Sequence, residues 1–170
     1  MKKYLFIILM VAVIFAGCGK KEAVPSGEQS PFGVAELPDF VLSDLSGAEK
    51  NLQDYKGKVL IVDFWATWCA PCRKEIPDFI ALKEEYGEKG LEIIGISLDD
   101  SLSELNEFVK ANKINYPVLY RDQERKIVDA FGGIKGIPTT FIIDREGKVV
   151  RKFVGLREKE VFKDAIEPLL

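Results

Sequence analysis

The chain has 170 residues, of which 47% are hydrophobic and 30% are charged, and its formal net charge is -3. This balance is typical of a globular protein with one domain and some additional segments. The slightly negative charge offers no basic field for binding nucleic acid. Because the chain contains no histidine, catalysis by a histidine base and metal binding by histidine are both excluded.

The first 18 residues have the pattern of a bacterial export signal. Lys2 and Lys3 precede an apolar run of 14 residues at 4–17, which is shorter than the roughly 20 residues of a membrane-spanning helix. The stretch "FAGC" resembles the lipobox of bacterial lipoproteins, and this resemblance implies that residues 1–17 are removed and that Cys18 is acylated. The alternatives are an uncleaved helical anchor and a free thiol at Cys18. In each case the domain is expected outside the cytoplasmic membrane.

Residues 18–36 predict a flexible tether between this signal and the folded domain. The stretch is rich in glycine, proline, serine and charged residues and shows no periodicity. The predicted organisation is therefore a lipoprotein signal peptide at 1–17, a tether at 18–36 and one domain at 37–170.

The first half of the domain predicts short extended elements, then a buried strand and a long helix. The short elements are expected at 39–44 and within 47–58. The run "KVLIVDFWA" at 58–66 is nearly all apolar and rich in β-branched residues, which is typical of a central strand buried on both faces. The helix is expected to begin at the two cysteines that follow and to end at Gly87, with a kink at Pro77.

The second half alternates strands with helices and closes with a hairpin and a helix. Strands are expected at 91–99 and 116–122, helices at 101–112 and 123–132, hairpin strands at 139–144 and 148–155, and a final helix at 157–170. This alternation predicts an α/β fold with a parallel sheet covered on both faces, to which the hairpin adds an antiparallel edge.

Cys69 and Cys72 are separated by two residues at the start of the long helix. A zinc or iron–sulfur site is disfavoured, because such sites need about four ligands and the domain offers two cysteines and no histidine. A structural disulfide would close a loop of only four residues, for which the entropic stabilisation is smallest. A reactive pair fits better, because a helix N-terminus stabilises a thiolate on Cys69. Cys72, one turn deeper, would then resolve the mixed disulfide.

Two stretches of the chain resemble thioredoxin-like proteins: "VDFWATWCAPCRKEIP" from residue 62 and "GIPTTFIIDREGKVV" from residue 136. With the signal and the N-terminal extension, residues 37–170 are similar to the membrane-tethered thiol–disulfide oxidoreductases of the TlpA/ResA type, within the AhpC/TSA–redoxin superfamily. The resemblance implies a thioredoxin fold, in which helices flank a central mixed β-sheet. It also implies an N-terminal β extension and an insertion within 99–132 that lines the partner-binding side.

The same resemblance implies roles for further residues. Pro138, joined to Ile137 by a cis peptide bond, would present backbone to an extended substrate peptide. Trp68 would form a partly exposed wall of the site, with plain core packing as the alternative. Glu75 would tune the pKa values of the cysteines, with a solvated surface charge as the alternative.

Asp63 interrupts the apolar strand before the cysteines, where burial of a carboxylate is costly and raises its pKa. Its position resembles that of the buried aspartate of thioredoxin, which assists deprotonation of the second cysteine. Many relatives of the ResA type have a neutral residue there, so a chain with both Asp63 and Glu75 departs from their pattern. We expect Asp63 to handle the proton of Cys72.

The resemblance implies a reductase of disulfides in exported proteins, with apocytochrome c as one substrate. Electrons would come from a transmembrane thiol carrier of the CcdA/DsbD type, and the Cys69–Cys72 disulfide would serve in place of a cofactor. The alternatives are a general reductase or oxidase of envelope proteins, a thiol peroxidase, and a binding domain without activity. The peroxidase is disfavoured because "TWCAPC" stands in place of the Pro-x-x-x-Thr-x-x-Cys pattern of peroxiredoxins.

Overall fold

The computed structural model describes residues 30–121 and 125–170, which form one seven-stranded sheet with the order β2-β1-β5-β4-β3-β6-β7. The strands are β1 (Val41–Asp44), β2 (Glu49–Asn51), β3 (Val59–Trp65), β4 (Leu91–Ser97), β5 (Val118–Tyr120), β6 (Thr139–Ile143) and β7 (Val149–Val154). The helices are α1 (Ala70–Tyr86), α2 (Leu102–Ala111), α3 (Lys126–Ala130) and α4 (Lys159–Ile166). Among these residues, no helix has the length and hydropathy that a membrane span requires. The predicted signal peptide, the tether up to residue 29 and Cys18 lie outside the described residues.

The centre of the sheet consists of β3 and β4, which are parallel and buried along their whole length. β5 continues the parallel arrangement beyond β4, whereas β6 and β7 are antiparallel to their neighbours. The β1–β2 hairpin joins the sheet by antiparallel pairing of β1 with β5. This confirms the predicted mixed sheet, with the hairpin as its N-terminal extension.

Successive residues of β3 point to opposite faces of the sheet and enter two separate hydrophobic layers. Ile61 and Trp65 belong to the layer that contains α1, α2 and α4, whereas Leu60 and Phe64 belong to the layer that contains α3. The sheet is therefore covered on both faces, as the alternation of strands and helices predicts. Because Asp63 lies two residues from both Ile61 and Trp65, it shares their face of the strand and enters the layer beneath α1.

The bounds of the elements differ from the predicted ones mainly where the chain turns. α1 runs through Pro77 and ends at Tyr86, next to the predicted end at Gly87. The final helix is shorter than predicted, because α4 ends at Ile166 and a 3-10 turn containing Pro168 follows.

Residues 30–36, the last part of the predicted tether, lie against the sheet and the loop that follows α3. The N–H of Val149 donates to the carbonyl of Ala35 at 2.9 Å. Gly33 and Gly132 approach so closely that a Cβ on Gly132 would fall 2.3 Å from the Gly33 carbonyl oxygen. The φ of Gly132 is +74°, which a residue with a side chain rarely adopts. The contact therefore requires glycine at this position.

Candidate active site

The two cysteines lie where the chain leaves the carboxyl end of β3 and turns into α1. Cys69 is the N-cap of α1, and the N–H of Cys72 donates to Cys69 Sγ at 3.3 Å. The two residues form a disulfide with an S–S distance of 2.05 Å. Cys69 is 5% exposed and Cys72 is 1% exposed, so the outer sulfur is the one assigned to attack. When the pair is reduced, the free N–H groups and the dipole of the helix N-terminus favour a thiolate on Cys69.

A groove beside the cysteines offers room for a substrate segment. Trp68 is 66% exposed and forms one wall. The Ile137–Pro138 peptide bond is cis, and the Pro138 carbonyl accepts the N–H of Gly155 at 2.8 Å. Pro138 is buried, so the half-exposed Ile137 provides the accessible surface of this loop. The groove has a volume of about 170 Å³ and is lined by Trp68, Leu98, Arg125, Ile134, Lys135, Gly136 and Ile137.

Asp63 lies buried in β3 beneath α1. Its register partner across the antiparallel β3–β6 pair is Thr140, whose hydroxyl donates to Asp63 Oδ1 at 3.1 Å. Burial raises the pKa of Asp63 well above its ordinary value, and the nearby Glu75 carboxyl raises it further. The hydrogen bond from Thr140 acts in the opposite direction but does not compensate. Asp63 is therefore a weak acid in a site with little access to water.

Glu75 is fully buried on the inner face of α1, so it is not a solvated helix charge. Its Oε1 accepts the backbone N–H of Arg157 at 2.6 Å, whereas its Oε2 is buried without a hydrogen-bond partner among the described residues. Burial raises the pKa of Glu75 to about 7, against the lowering effects of the Arg157 N–H and guanidinium. Glu75 therefore changes its charge near neutral pH.

The two carboxyl groups share one electrostatic environment with Tyr116. The pKa of the Tyr116 hydroxyl is raised first by burial and then by the charges of Asp63 and Glu75. The layer beneath α1 therefore disfavours negative charge, because each anion in it opposes the formation of the next. Asp63 and Glu75 therefore hold a proton more tightly than ordinary carboxyl groups do.

Sequence reasoning missed the residues that hold these carboxyl groups and the turn before Cys69. Thr140 is found only once β3 and β6 are paired in the correct register. Arg157 acts through its backbone N–H, which leaves no trace in the residue type. The backbone N–H of Thr67, which follows β3, donates to Asp99, which follows β4. The only signal of this contact in the sequence is an acidic residue shortly after a buried strand.

The arrangement is suited to thiol–disulfide exchange. It combines a sulfur at a helix N-terminus, a second sulfur beneath it, an adjacent groove and two carboxyl groups of raised pKa. Within residues 30–121 and 125–170, no cluster of three or more cysteine and acidic side chains is placed to hold a metal ion. The chemistry that these residues supply is the transfer of two electrons as the disulfide opens and closes.

Comparisons with known proteins agree with thiol–disulfide exchange as the chemistry of this chain. The model of the AhpC/TSA family matches residues 35–152. The chain is 35% identical over 166 residues to the thiol-disulfide oxidoreductase ResA of Bacillus subtilis (strain 168), an alignment that covers 96% of this chain and 92% of that protein. It is 41% identical over 125 residues to ResA of Bacillus anthracis, which covers 74% of this chain and 71% of that protein.

Solved structures extend the similarity to the fold. A thiol:disulfide interchange protein of the thioredoxin family from Chlorobium tepidum TLS is 35% identical with a TM-score of 0.72, covering 80% of this chain and 96% of that chain. A secreted thiol-disulfide isomerase from Corynebacterium glutamicum is 31% identical with a TM-score of 0.73, covering 78% of this chain and 84% of that chain. The thioredoxin fold and the resemblance to the ResA type are thereby confirmed.

Proposed function

The chain belongs to the AhpC/TSA family and is a thiol–disulfide oxidoreductase, and from this premise we propose that it reduces disulfides of proteins outside the cytoplasm. The observation that carries the proposal is the position of Cys69, which caps α1 beside the groove formed by Trp68 and Ile137. Cys72 lies directly beneath it and is inaccessible to a protein partner. This geometry supports attack by Cys69 and resolution by Cys72.

The proposed reaction begins with the reduced protein. The Cys69 thiolate attacks one sulfur of the partner's disulfide, and the partner's other sulfur leaves as a thiolate that takes up a proton. Cys72 then attacks Cys69 Sγ, which breaks the mixed disulfide and closes the Cys69–Cys72 disulfide. The partner leaves with two thiols, and the two electrons it gained are those the cysteine pair has lost.

The second step requires that Cys72 lose its proton within a buried site. We assign this proton to Asp63, whose raised pKa increases its affinity for a proton and whose orientation is fixed by Thr140. Glu75 tunes the same equilibrium, because its charge opposes ionisation of Asp63. The ionisation of Asp63 and Glu75 thus sets the pH range in which Cys72 resolves the mixed disulfide rapidly.

We further propose that the protein is anchored to a bacterial membrane through lipid on Cys18. The support is the sequence of residues 1–18 and the Corynebacterium glutamicum relative, which is described as secreted. Because extracytoplasmic space is generally oxidising, a reductase there needs a membrane donor, for which a thiol carrier of the CcdA/DsbD type is suited. The proposed substrate is apocytochrome c, whose Cys-x-x-Cys-His must be reduced before haem attachment.

Trapping of the mixed disulfide tests the proposed partner. In Cys72→Ser, Cys69 still forms the mixed disulfide, but no resolving thiol is present to break it, so substrates and donors remain bound to Cys69. They are identified by mass spectrometry after non-reducing electrophoresis. Apocytochrome c and a membrane thiol carrier are the expected adducts, and Cys69→Ser is the control that captures neither. Adducts consisting only of other envelope proteins would replace the cytochrome assignment with general disulfide reduction.

The direction of electron flow and the anchor have separate tests. Equilibration with glutathione measures the reduction potential of the Cys69–Cys72 pair. A reductase requires a potential far below that of DsbA, which is about -120 mV. A value close to that of DsbA contradicts the proposal and indicates an oxidase. Mass spectrometry of the mature N-terminus tests acylation, which Cys18→Ser abolishes; an unmodified Cys18 in the wild type rejects the lipid anchor.

A further inference from the structure

The turn between β3 and α1 lies beside the carboxyl end of the neighbouring strand β4, and a residue that follows β4 holds it. The turn spans residues 66–69 and is closed by the N–H of Cys69, which donates to the Ala66 carbonyl at 3.1 Å. β3 and β4 are parallel with Trp65 opposite Ser97, so their carboxyl ends meet at this point. The chain after β4 is also tied to the end of β3, because the N–H of Leu98 donates to the Trp65 carbonyl at 2.8 Å.

Asp99 reaches from the end of β4 into this turn and is only 3% exposed. The backbone N–H of Thr67 donates to both of its carboxylate oxygens, at 3.2 Å and 3.0 Å. The Thr67 hydroxyl donates to Oδ1 at 2.5 Å. Both hydrogen-bond donors of Thr67, two residues before Cys69, are therefore engaged by one carboxylate.

The carboxylate of Asp99 is itself fixed in place. The hydroxyl of Ser97 donates to its Oδ2 at 2.7 Å, and the N–H of Asp99 donates back to the Ser97 oxygen at 3.1 Å. Arg121 Nε donates to the backbone carbonyl of Asp99 at 3.2 Å. Burial of a carboxylate is costly unless hydrogen bonds replace its hydration, and here those bonds are directed at the turn that leads to the reactive sulfur.

We propose that Asp99 is a positioning residue for the exchange reaction, acting through Thr67 on the placement of Cys69. By accepting hydrogen bonds from both the N–H and the hydroxyl of Thr67, it keeps Cys69 at the N-cap of α1, where the Cys69 sulfur accepts the N–H of Cys72. Thr67 is followed directly by Trp68 and Cys69, so the bonds to Asp99 fix the start of the segment that carries both residues. The inference rests on exchange at Cys69 and is independent of which protein is the partner.

The test is the pH dependence of the rate at which the reduced full chain attacks a small aromatic disulfide. Such a profile has a midpoint, which reports the thiol pKa, and an alkaline plateau, which reports the reactivity of a fully formed thiolate. Asp99→Ala is expected to lower the plateau about tenfold, because misplacement of a reacting atom is costly even when its ionisation is complete. Asp99→Asn retains an acceptor oxygen and is expected to recover at least half of the plateau.

Asp44 offers a matched control in the β1–β2 turn. Its carboxylate accepts two backbone N–H groups and one hydroxyl, from Ser46 and Ala48, whereas that of Asp99 accepts one backbone N–H and two hydroxyls. Asp44→Ala is expected to lower stability and to leave both plateau and midpoint unchanged. If Asp99→Ala behaves in the same way, Asp99 is only structural and the inference is overturned. A shifted midpoint with an unchanged plateau also overturns it, since Asp99 would then act through its charge.

Two further variants keep the test decisive if Asp99→Ala does not fold. Thr67→Val retains the backbone N–H but lacks the hydroxyl that bonds to Oδ1, so it is expected to lower the plateau about threefold. Asp99→Asn, which is expected to keep at least half of the plateau, tests whether the charge of Asp99 is needed. An unchanged plateau in Thr67→Val contradicts the inference. If the parent chain reacts no faster than Cys69→Ser, the exchange function itself has failed. That outcome is thereby distinguished from a failure of the role proposed for Asp99.

Discussion

The two ends of the central strands bury carboxyl groups in opposite electrostatic settings. At the amino end, Glu92 of β4 accepts hydrogen bonds from Lys83 Nζ at 2.5 Å and from Lys58 Nζ at 3.0 Å. Burial opposes the ionisation of Glu92, but the two lysines outweigh it and hold the pKa of this carboxyl below its ordinary value. Glu92 is therefore fixed in one charge state over the whole neutral range.

At the carboxyl end, Asp63 and Glu75 receive hydrogen bonds from uncharged groups, a hydroxyl and a backbone N–H. Burial is therefore not compensated, and the pKa values of both groups are raised. The pKa values differ because two lysines bind Glu92, whereas a hydroxyl and a backbone N–H bind Asp63 and Glu75. A buried acid beside a cation stabilises the fold, whereas one beside neutral donors has a raised pKa and is suited to the proton transfer that we propose for Cys72.

The largest expected effect is on the step that uses the proton acceptor. Asp63→Asn removes the proposed base for Cys72, and resolution of the mixed disulfide should slow about 100-fold, the usual range for loss of a general base. The first attack by Cys69 should change much less. Rapid-quench kinetics with a model peptide disulfide separates the two steps, and equal slowing of both would reject the role assigned to Asp63.

The next effect concerns the pH dependence of stability. The pKa of Glu75 is about 7 in the folded protein, against 4.5 for an ordinary glutamate, so the folded state binds this proton more tightly. The contribution of Glu75 to stability is therefore present below pH 4.5 and is lost as the pH rises to about 7. The free energy of unfolding of the oxidised protein should fall by on the order of 2 kcal/mol across this window. Denaturant titrations at several pH values measure it.

Glu75→Gln should flatten this fall, leaving the part that comes from Asp63, whose raised pKa acts in the same direction. The exposed Glu84 of the same helix is the matched control, and Glu84→Gln should retain the full dependence. A pH profile of Glu75→Gln identical to that of the wild type contradicts the assignment. The same variant should also shift the thiol titration of the reduced protein, followed by thiolate absorbance.

A smaller effect is expected when the amino end is altered. Glu92→Gln leaves Lys83 without its buried anionic partner and should lower the free energy of unfolding by about 1.5 kcal/mol, since Lys58 remains well solvated. Exchange activity should be unchanged, because this pair lies at the far end of the strands. The exposed Lys159–Glu85 pair is the control, and Glu85→Gln should cost less. Loss of activity in Glu92→Gln would break the contrast between the two ends.

The smallest effect is expected at the groove. Trp68→Ala removes an exposed ring that a substrate would cover, and KM for a protein substrate should rise about fivefold with little change in kcat. Leu102→Ala on α2 is the control, because Leu102 is also an exposed apolar residue but does not line the groove. Steady-state reduction of insulin measures both. Equal effects of the two variants would exclude Trp68 as a specific substrate contact.

Much of this architecture was predictable from periodicity and local rules. The continuous apolar run at 58–66 indicated β3, and the spacing of apolar residues after Cys72 indicated α1. The position of Cys69 at a helix start followed from their order. These features depend on residues close together in the chain, where a pattern in the sequence directly reflects the local structure.

The contacts that tune the site were not predictable in the same way. Thr140 is 77 residues from Asp63, and Arg157 is 82 residues from Glu75. The Arg157 contact uses a backbone N–H, for which any non-proline residue serves. Asp99 could be recognised as a buried acid only after the ends of β3 and β4 were brought together. Sequence patterns therefore identify the reactive groups more readily than the groups that control them.

The close approach of Gly33 and Gly132 has a mechanical consequence. Tension on the N-terminal side of residue 30 reaches the sheet through this contact, through the Val149–Ala35 hydrogen bond and through the bond from the Leu37 N–H to the Gly147 carbonyl at 2.7 Å. Gly132 begins the loop that continues into the groove at Ile134. A pulling force on residue 30 therefore acts first on the β6–β7 hairpin and on the loop that follows α3.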